Sequence, residues 1–477
     1  MKDRVKDAQK RLLTLLIALV LGCFTILKPV HIDEANFLML TKGEFFAPHN
    51  VLVNWQGKTE RAFDVLSNPA GIAWFLWPFR HLDPMWMRLM MLSWIVLLWW
   101  GVQKFARFYR IEGEFLFLFT LFSPCIFLSI GSIMPDIPLL ALYISGLAGV
   151  ICKRSYLWAF VAGMATLFRY SGLTVIPLIF VWVLFQGMDR RGIALILISC
   201  VPFSLLTVFD FIVYQESHFL HMMNFQATDS SPFFPKFSSL LAMLSAAVIL
   251  PSVPKVKQDY ISLAIGIGFS IGMYSIVESV WSTVWIALGV YIICRNIQLK
   301  QKENNFLLIW MLGGIVFLSF LRFAASRYWI PFFFPIILLG IPKKKFREKM
   351  ILLCSTTILS IFLALDDYRF ATAHKEAAMW VQQHQPTGMF AGHWGWQHYL
   401  EESKWKIVEE TQGNKKRIIR MRLALRGLFK ITSVTSESDT VVPPRGTHRS
   451  SCAQSSLGWI ICTIDIEKTC LQRNDGA

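Results

Sequence analysis

Apolar segments long enough to cross a lipid bilayer recur along most of the chain, and this feature constrains the fold more than any other. Hydropathy predicts about thirteen transmembrane helices, because a span needs roughly 20 predominantly apolar residues. The predicted spans begin near Leu12, Met85, Phe115, Ile137, Tyr156, Leu173, Ile193, Phe237, Ile261, Trp281, Phe306, Trp329 and Met350. We therefore expect an all-α polytopic membrane protein.

The composition fits a membrane protein and argues against a protein that binds nucleic acid. The chain has 477 residues, of which 55% are hydrophobic and 16% are charged, and its net charge is +16. In a soluble protein such a charge would suggest a nucleic-acid partner. Here the lysines and arginines fall mostly in short clusters between apolar runs, which is how a multispanning protein fixes its orientation. Membrane lipids are therefore the expected partners, and no nucleic acid is expected.

The segments between the spans are of two alternating kinds. One kind is basic, as in "KFARFYR", "CKRS", "DRRG" and "RNIQLKQK", and should be cytoplasmic. The other kind carries the acids, most histidines and isolated arginines, and should face the periplasm or its equivalent. The first apolar run follows a basic leader but precedes no small-residue cleavage site, so we expect an uncleaved first helix.

Asp33 and Glu34 directly follow this first span, in "HIDEANF". Ionisable groups at a membrane are costly and usually functional. A partly desolvated carboxylate can act as a general base, and adjacent residues on a helix point about 100° apart, so one can face a cavity while the other pairs. The alternative is that they are the N-cap and first-turn acid of a helix that starts near Ala35. Their spacing leaves both interpretations open.

Asp136 is a third candidate carboxylate on the predicted exported face. It lies in "SIMPDIPLL" between two apolar runs, and its flanking prolines favour a tight turn at the membrane surface. An ordinary turn residue is the alternative. Three carboxylates on one face of an acid-poor membrane domain favour a shared site.

Isolated basic and tyrosine residues on the same predicted face are candidates for binding a phosphate. Arg169 and Tyr170 lie in "LFRYSGL", and Arg322, Arg327 and Tyr328 lie in "LRFAASRYWIP". Arginine binds phosphate bidentately, which suits a lipid phosphate at the membrane edge. Snorkelling at a helix end is the alternative, although these arginines lie opposite the side that the positive-inside rule favours.

A metal site is not favoured by the sequence. His218 and His221 have i, i+3 spacing and could bridge a metal together with an acid, but a solvated loop is the better interpretation. The sequence has no P-loop, no GxGxxG motif after a strand and no GxSxG motif. We therefore predict no cofactor and do not favour a divalent metal.

The region after the last predicted span, residues 366–477, is predicted to be a small extracytoplasmic α/β region. "HKEAAMWVQQHQ" has helical spacing, and "GMFAGHWGWQHYL" is typical of a strand or turn. The following "NKKRIIRMRLALRGLFK" is strongly basic, which is unusual for an exported segment.

The position of the candidate residues limits the reaction. The cytoplasmic segments are too short to hold a nucleotide, and the candidate acids lie on the exported face, where nucleotide sugars and ATP are not supplied. An activated donor must therefore arrive through the membrane, and a lipid-linked phosphosugar meets this requirement. A carboxylate would deprotonate an acceptor hydroxyl while arginines stabilise the departing polyprenyl phosphate.

Five segments resemble motifs of the GT-C glycosyltransferases, particularly the protein O-mannosyltransferase and lipid A aminoarabinose transferase group. "HIDEANF" resembles the Asp-Glu motif of the first loop, and the segments that follow it resemble later motifs of that group in the same order. They are "SNPAGIAWFLWPF", "MPDIPLLALYISG", "FRYSGLTVIP" and "SRYWIPFFFP". The resemblance covers roughly the chain from Leu12 to Leu365.

The resemblance implies inverting sugar transfer from a polyprenyl-phosphate-linked donor to an extracytoplasmic glycan, lipid or protein in a bacterial inner (plasma) membrane, with the active site facing the periplasm. Asp33 would be the base, Glu34 and Asp136 would shape the acceptor or donor site, and Arg169 would contact the donor phosphate. Residues 1–365 would form the membrane domain, with residues 31–83 as its catalytic exported loop.

Two other classes of protein remain open. A polytopic transporter or flippase of lipids or glycans would also have many spans, but should show repeat symmetry or charged residues deep within its helices. A non-catalytic assembly factor of the cell envelope would keep the spans without needing acids and arginines on one face.

Overall fold

The computed structural model describes most of the chain. The described residues are 2–55, 58–227, 233–247, 257–277, 280–298, 305–321, 326–340, 345–384, 387, 389–391, 395–401, 403, 405–407, 418–423 and 429–434. Arg322, one of the predicted phosphate ligands, lies outside them.

Helices dominate the described residues. In chain order they are α1 (Lys2–Thr25), α2 (Glu34–Lys42), α3 (Ala62–Val65), α4 (Gly71–Leu76), α5 (Pro84–Met91), α6 (Ser93–Phe108), α7 (Gly113–Leu121), α8 (Pro124–Ile130), α9 (Asp136–Lys153), α10 (Tyr156–Met164), α11 (Val175–Gln186), α12 (Arg190–Tyr214), α13 (His218–Ala227), α14 (Phe233–Ala247), α15 (Lys257–Val277), α16 (Val280–Gln298), α17 (Asn305–Ser319), α18 (Ile330–Gly340), α19 (Phe346–His384) and α20 (Gly395–Glu401). Short 3-10 helices at Tyr170–Thr174 and Ser326–Trp329 precede α11 and α18.

The strands are short and few among the residues described. They are β1 (Leu52–Trp55), β2 (Lys58–Arg61), β3 (Met389–Ala391), β4 (Lys406–Ile407), β5 (Ile418–Leu423) and β6 (Phe429–Val434).

The chain divides into two compact units. The helical unit comprises residues 1–26, 89–131 and 135–364, and the loop unit comprises residues 27–88, 132–134 and 365–477.

Several helices of the structure have the length and hydropathy of membrane spans. Within the described residues four pass this test, namely Pro84–Phe108, Asp136–Lys153, Arg190–Tyr214 and Phe346–His384, and six shorter apolar helices of 10–17 residues accompany them. The pair α7 and α8 counts as a fifth span if its two parts, bent by 74° at the break before Pro124, cross together. Each of the thirteen predicted span starts falls within a helix.

Small residues bring the helices of the helical unit close together. Gly101 on α6 faces Ser145 on α9, where an added Cβ would lie 2.7 Å from the Ser145 Cα. Gly146 on α9 faces Ala162 on α10 in the same way, and a Cβ added to Gly146 would lie 2.5 Å from the Ala162 Cβ. Because lipid offers no hydrophobic drive for helices to associate, such close backbone packing is a main source of helix–helix affinity in membranes.

An aromatic cluster fixes the helices that carry the candidate residues of the helical unit. The Trp310 ring on α17 lies 5.8 Å from Tyr143 on α9, 6.1 Å from Phe105 on α6 and 6.1 Å from Phe334 on α18. Its indole N–H donates to the Pro331 carbonyl at 2.9 Å, so the tryptophan has no unsatisfied polar group at this position.

The loop unit is built from short elements. Helices α2 and α4 pack together, α20 packs on α2, and β1 pairs with β2 as an antiparallel hairpin in which Leu52 faces Arg61. A second sheet has the strand order β4-β3-β5-β6, with β3 parallel to β4 and β5, and β5 antiparallel to β6.

The fold class is confirmed: the protein is a polytopic, predominantly helical integral membrane protein with a small C-terminal α/β region. One local prediction is wrong, because "GMFAGHWGWQHYL" forms strand β3 and then helix α20 rather than strand or turn throughout. The basic segment contributes β5 and part of β6. The division at residue 365 and the extracytoplasmic location of the C-terminal region stay predictions.

Candidate active site

Asp33 stands at the N-terminus of α2 but does not act as a side-chain cap. Its backbone has helical φ and ψ of −65° and −12°, and its carboxylate makes no capping hydrogen bond. The preceding residue, Ile32, has φ of 52°. This left-handed conformation is unfavourable for a β-branched side chain, and strain of this kind clusters at functional sites. The backbone therefore presents Asp33 from a strained turn.

Glu34 is buried and held in a fixed orientation by three hydrogen bonds. Arg88 donates from Nε to Oε1 and from Nη2 to Oε2, each at 2.7 Å, and the Ile133 N–H donates to Oε1 at 2.7 Å. Glu34 is 1% exposed and Arg88 is 2% exposed. A bidentate pair with an additional donor is the arrangement that compensates best for burying two charges.

The electrostatic environment keeps Glu34 ionised. Burial raises the pKa of its carboxyl, but the Arg88 guanidinium, the Lys28 ammonium and the Ile133 N–H together lower that pKa below its ordinary value of 4.5. A carboxylate with both oxygens occupied in this way is suited to positioning its neighbours rather than to taking a proton.

A second buried ion pair lies on the other side of Asp33 in the sequence. Lys28 Nζ donates to Asp367 Oδ2 at 2.8 Å and to Ser132 Oγ at 2.9 Å, and His31 Nε2 lies 2.9 Å from Asp367 Oδ1. Arg88 also donates through Nη1 to the Lys28 carbonyl. We call Lys28, His31, Glu34, Arg88 and Asp367 the loop cluster.

The helical unit contains its own group of buried charges, built around Asp136 and Arg169. Asp136 is the first residue of α9 and is fully buried, and its Oδ1 accepts a hydrogen bond from Arg169 Nη1. Its other oxygen, Oδ2, has no hydrogen-bond partner among the described residues. A buried acceptor in this state is uncommon and marks a place for a donor group.

Two arginines lie near the ring of Tyr328. The guanidinium carbon of Arg169 is 4.6 Å from the centre of the Tyr328 ring, and that of Arg327 is 5.7 Å from it. Both arginines are buried, at 9% and 7% exposure. Stacking on a ring orients a guanidinium while leaving its N–H groups directed in the ring plane. We call Asp136, Arg169, Arg327 and Tyr328 the arginine cluster.

Tyr170 contacts a histidine rather than the arginine cluster. Its hydroxyl lies 2.7 Å from His218 Nδ1, and the His218 backbone N–H donates to Asp210 at 3.3 Å. The neighbouring His221 pairs instead with Glu216 at 3.1 Å. His218 and His221 thus have different partners, and no group of three metal-binding side chains occurs in the part of the chain that the structure describes.

The structure brings together four of the predicted residues in the arginine cluster, and it surrounds Glu34 and the turn before Asp33 with partners that sequence reasoning missed. These are Lys28, Arg88, Ser132, Asp367 and Tyr399. Two of them carried a usable signal, because Lys28 and Arg88 are charged residues beside or within apolar segments, where an unexplained charge predicts a buried partner. For Asp367 the sequence could not indicate the partner, because His31 lies 336 positions away.

Comparison with known proteins gives no match by sequence but does give matches by structure. No protein-family model and no curated protein matches the chain. The crystal structure of ArnT from Cupriavidus metallidurans bound to undecaprenyl phosphate is 15% identical, with 82% of this chain and 84% of that chain covered and a TM-score of 0.38. The structure of the same protein in the apo state is 16% identical over the same shares, with a TM-score of 0.39.

ArnT is a lipid A aminoarabinose transferase.

Proposed function

We propose that the protein is a membrane glycosyltransferase that transfers a hexose or pentose from a polyprenyl-phosphate-linked donor to an extracytoplasmic acceptor, with inversion. The arginine cluster carries the proposal. It combines a buried guanidinium stacked on a tyrosine ring with a buried carboxylate whose second oxygen has no partner in the described residues.

The two guanidinium groups of the arginine cluster suit a phosphate within an apolar environment. Arg169 and Arg327 approach the same Tyr328 ring, so the orientation of both is restrained before a ligand arrives. Preorganised donors are worth more than flexible ones because no reorganisation is needed when charge develops on a leaving group. Polyprenyl phosphate is such a leaving group, and its lipid tail matches the apolar helices around it.

Asp136 suits the sugar rather than the phosphate. A carboxylate oxygen repels a phosphate but accepts a hydrogen bond from a sugar hydroxyl, and Asp136 Oδ2 is buried and available for such a donor. The cluster thus offers the two kinds of contact that a sugar phosphate requires.

We assign Asp33 as the general base and Glu34 as a positioning residue. Asp33 takes the proton from the acceptor hydroxyl, the hydroxyl oxygen forms a bond to the anomeric carbon, and the bond from that carbon to the phosphate oxygen breaks. The electron pair leaves with polyprenyl phosphate, so charge and atoms balance without a further reactant. Glu34 is excluded as the base by the three hydrogen bonds that occupy its carboxylate.

The proposal is tested with the full-length protein in lipid nanodiscs. The assay offers polyprenyl-phosphate-linked labelled sugars or the corresponding nucleotide sugars, together with an envelope extract from cells that lack the gene. We expect label to reach the extract from the lipid donor only. Transfer from a nucleotide sugar without lipid donor would contradict the proposal.

Movement of labelled lipid across a bilayer in proteoliposomes, without transfer of the sugar, would instead favour the flippase alternative. Arg190→Ala, which removes an exposed arginine, is the matched control for variants of the arginine cluster.

A further inference from the structure

The turn that carries Asp33 is buried although it has no regular structure. Residues 26–33 connect α1 to α2 without forming a helix. Connecting segments normally lie on the surface and move more than the elements they join. Here Lys28, Val30, His31 and Ile32 are all at most 9% exposed. The polar groups of this turn therefore need partners from elsewhere in the loop unit.

One carboxylate supplies partners at two points of the turn. Asp367 Oδ2 accepts from Lys28 Nζ at 2.8 Å, and Oδ1 lies 2.9 Å from His31 Nε2. An ionised carboxylate is only an acceptor, so the imidazole N–H of His31 is the donor. Because both oxygens of one rigid group are bound, the positions of Lys28 and His31 are fixed relative to each other.

Lys28 supplies the charge that balances Asp367 in this buried site, at a distance of 2.8 Å. The imidazole N–H of His31 ties the turn to α19.

Two further contacts restrain the backbone of the turn. The Tyr399 hydroxyl accepts a hydrogen bond from the Val30 N–H at 2.8 Å. Gly395 at the start of α20 approaches so closely that an added Cβ would lie 2.7 Å from the Val30 carbonyl oxygen and 3.0 Å from the His31 Cα. The turn is thus held from the C-terminal part of the chain immediately before the left-handed Ile32.

From this geometry we propose that Asp367 is a positioning residue for Asp33, which acts by holding residues 28–33 through Lys28 and His31. The left-handed conformation of Ile32 sets the direction in which Asp33 leaves the backbone, and a strained turn persists only when its surroundings determine it. Arg88 and Glu34 fix the chain after Asp33, and Asp367 fixes it before. The catalytic part of this inference rests on the proposed function, whereas the structural part does not.

The test compares Asp367→Asn with Asp366→Asn in the full-length protein. Asp366 is the exposed neighbour, so its change is a matched control. Asparagine replaces one acceptor oxygen by an NH₂ group, which sets a donor against Lys28 or His31. We expect hydrogen exchange of the amides at residues 30–34 to accelerate at least tenfold in Asp367→Asn. We also expect kcat to fall at least tenfold while the KM for the lipid donor stays within twofold.

His31→Phe provides a second variant that leaves no unpaired charge, because Lys28 and Asp367 still pair. It should give normal yield, faster exchange at residues 30–34 and the same loss of kcat. His31→Gln, which keeps an N–H donor, should recover part of the exchange protection and part of kcat.

Unchanged exchange in Asp367→Asn and His31→Phe would overturn the proposal, whatever the activity of the protein. Faster exchange with unchanged kcat would also overturn it, because Asp33 would then not depend on the turn. If the wild-type protein transfers no sugar, the proposed function fails, and the exchange data alone still decide whether Asp367 holds the turn.

Discussion

Arg88 binds Glu34 through two parallel hydrogen bonds, from Nε to Oε1 and from Nη2 to Oε2, both 2.7 Å long and both buried. This pair fixes the first turn of α2 directly after Asp33. The family resemblance implies that Asp33 is the base and that Glu34 shapes the acceptor or donor site. The geometry gives Glu34 a positioning role, because the Arg88 guanidinium and the Ile133 N–H occupy its carboxylate.

Removing one partner of this buried pair should destabilise the protein strongly. Breaking a buried ion pair typically costs about 3–5 kcal/mol, because the remaining charge is left uncompensated. We expect this loss in the free energy of unfolding for Glu34→Gln and for Arg88→Met, measured by denaturant titration in detergent at pH 7. The double variant should lose less than the sum of the two.

The exposed pair formed by Arg61 and Asp64 is a matched control. It has the same bidentate geometry, at 3.0 and 3.1 Å, but its side chains are 49% and 35% exposed. Asp64→Asn should cost at most about 1 kcal/mol. Equal losses for Asp64→Asn and Glu34→Gln would show that burial does not set the strength of the Glu34 pair.

The contribution of Glu34 to the free energy of unfolding should also depend on pH, and it should be lost in acid. Its pKa in the folded protein is lower than in the unfolded chain, so the folded state favours the charged form. The stabilisation is complete above the unfolded pKa of about 4.5 and is lost as the pH falls through the folded value. The difference between wild type and Glu34→Gln should therefore be constant from pH 6 to 8 and shrink in strong acid.

Variants at Arg169 should change donor binding in a graded series. One hydrogen bond to a charged group is worth about 1.5–3 kcal/mol, so Arg169→Ala should raise the KM for the lipid donor roughly ten- to a hundredfold. Arg169→Lys should be intermediate, since a point charge serves a phosphate without the bidentate fork. Transfer of labelled sugar at varied donor concentration measures the series. Equal KM values for Arg, Lys and Ala, with Arg190→Ala as control, would reduce Arg169 to a structural residue.

His49 should make the loop unit less stable in mild acid. It is 2% exposed, and burial lowers its pKa from 6.5 to about 4, although a hydrogen bond to the Asn68 carbonyl opposes the shift. The unfolded chain therefore binds a proton that the folded protein excludes, and stability falls between pH 6.5 and 4. From pH 7 to 5 we expect a loss of about 2 kcal/mol from this residue.

The measurement is the free energy of unfolding of wild type and His49→Gln at both pH values. Glutamine keeps an N–H donor for Asn68 but does not titrate, so the variant should lose less stability on acidification. The exposed His81 is the control, and His81→Gln should behave as wild type. The same acid loss in His49→Gln as in wild type would refute the assignment.

The orientation can be tested with a native thiol. Cys152 is exposed at the end of α9 beside Lys153, in a segment that the positive-inside rule places in the cytoplasm. In a protein with the other cysteines replaced by serine, an impermeant thiol reagent should modify Cys152 only after cells are permeabilised. A cysteine at the exposed Ser67 of the predicted exported loop should react in intact cells. The reverse labelling pattern would show that the orientation in the membrane is opposite to the predicted one.

The sequence predicted the helices well because the hydropathy of each apolar run is enough to predict a helix, without knowledge of the rest of the fold. From the alternating basic loops it also predicted Asp136, Arg169 and Tyr328 on one side of the membrane, and in the structure Arg169 contacts both of the others. It did not predict the partners of Glu34. Arg88 comes 54 positions later, in an apolar run where a charge indicates a buried partner, but only the tertiary structure shows that this partner is Glu34.

The conformation of the turn before Asp33 could not be predicted from local propensity either. Isoleucine disfavours the left-handed region, so nothing in "HIDE" indicates φ of 52° at Ile32. The contacts next to it, from Asp367 to His31 and from Tyr399 to Val30, come from residues more than three hundred positions away in the sequence.

The most direct test of the account is the release of polyprenyl phosphate from a lipid-linked sugar in a single turnover, for wild type and Asp33→Asn. Asparagine keeps the shape of the side chain but cannot take a proton, and losing a general base typically costs roughly a hundred- to ten-thousandfold in rate. Asp83→Asn is the control, because Asp83 caps α5 and asparagine caps nearly as well. The account predicts a loss of this size in Asp33→Asn, with normal yield and an unchanged unfolding midpoint. An Asp33→Asn protein that releases polyprenyl phosphate at the wild-type rate would contradict it.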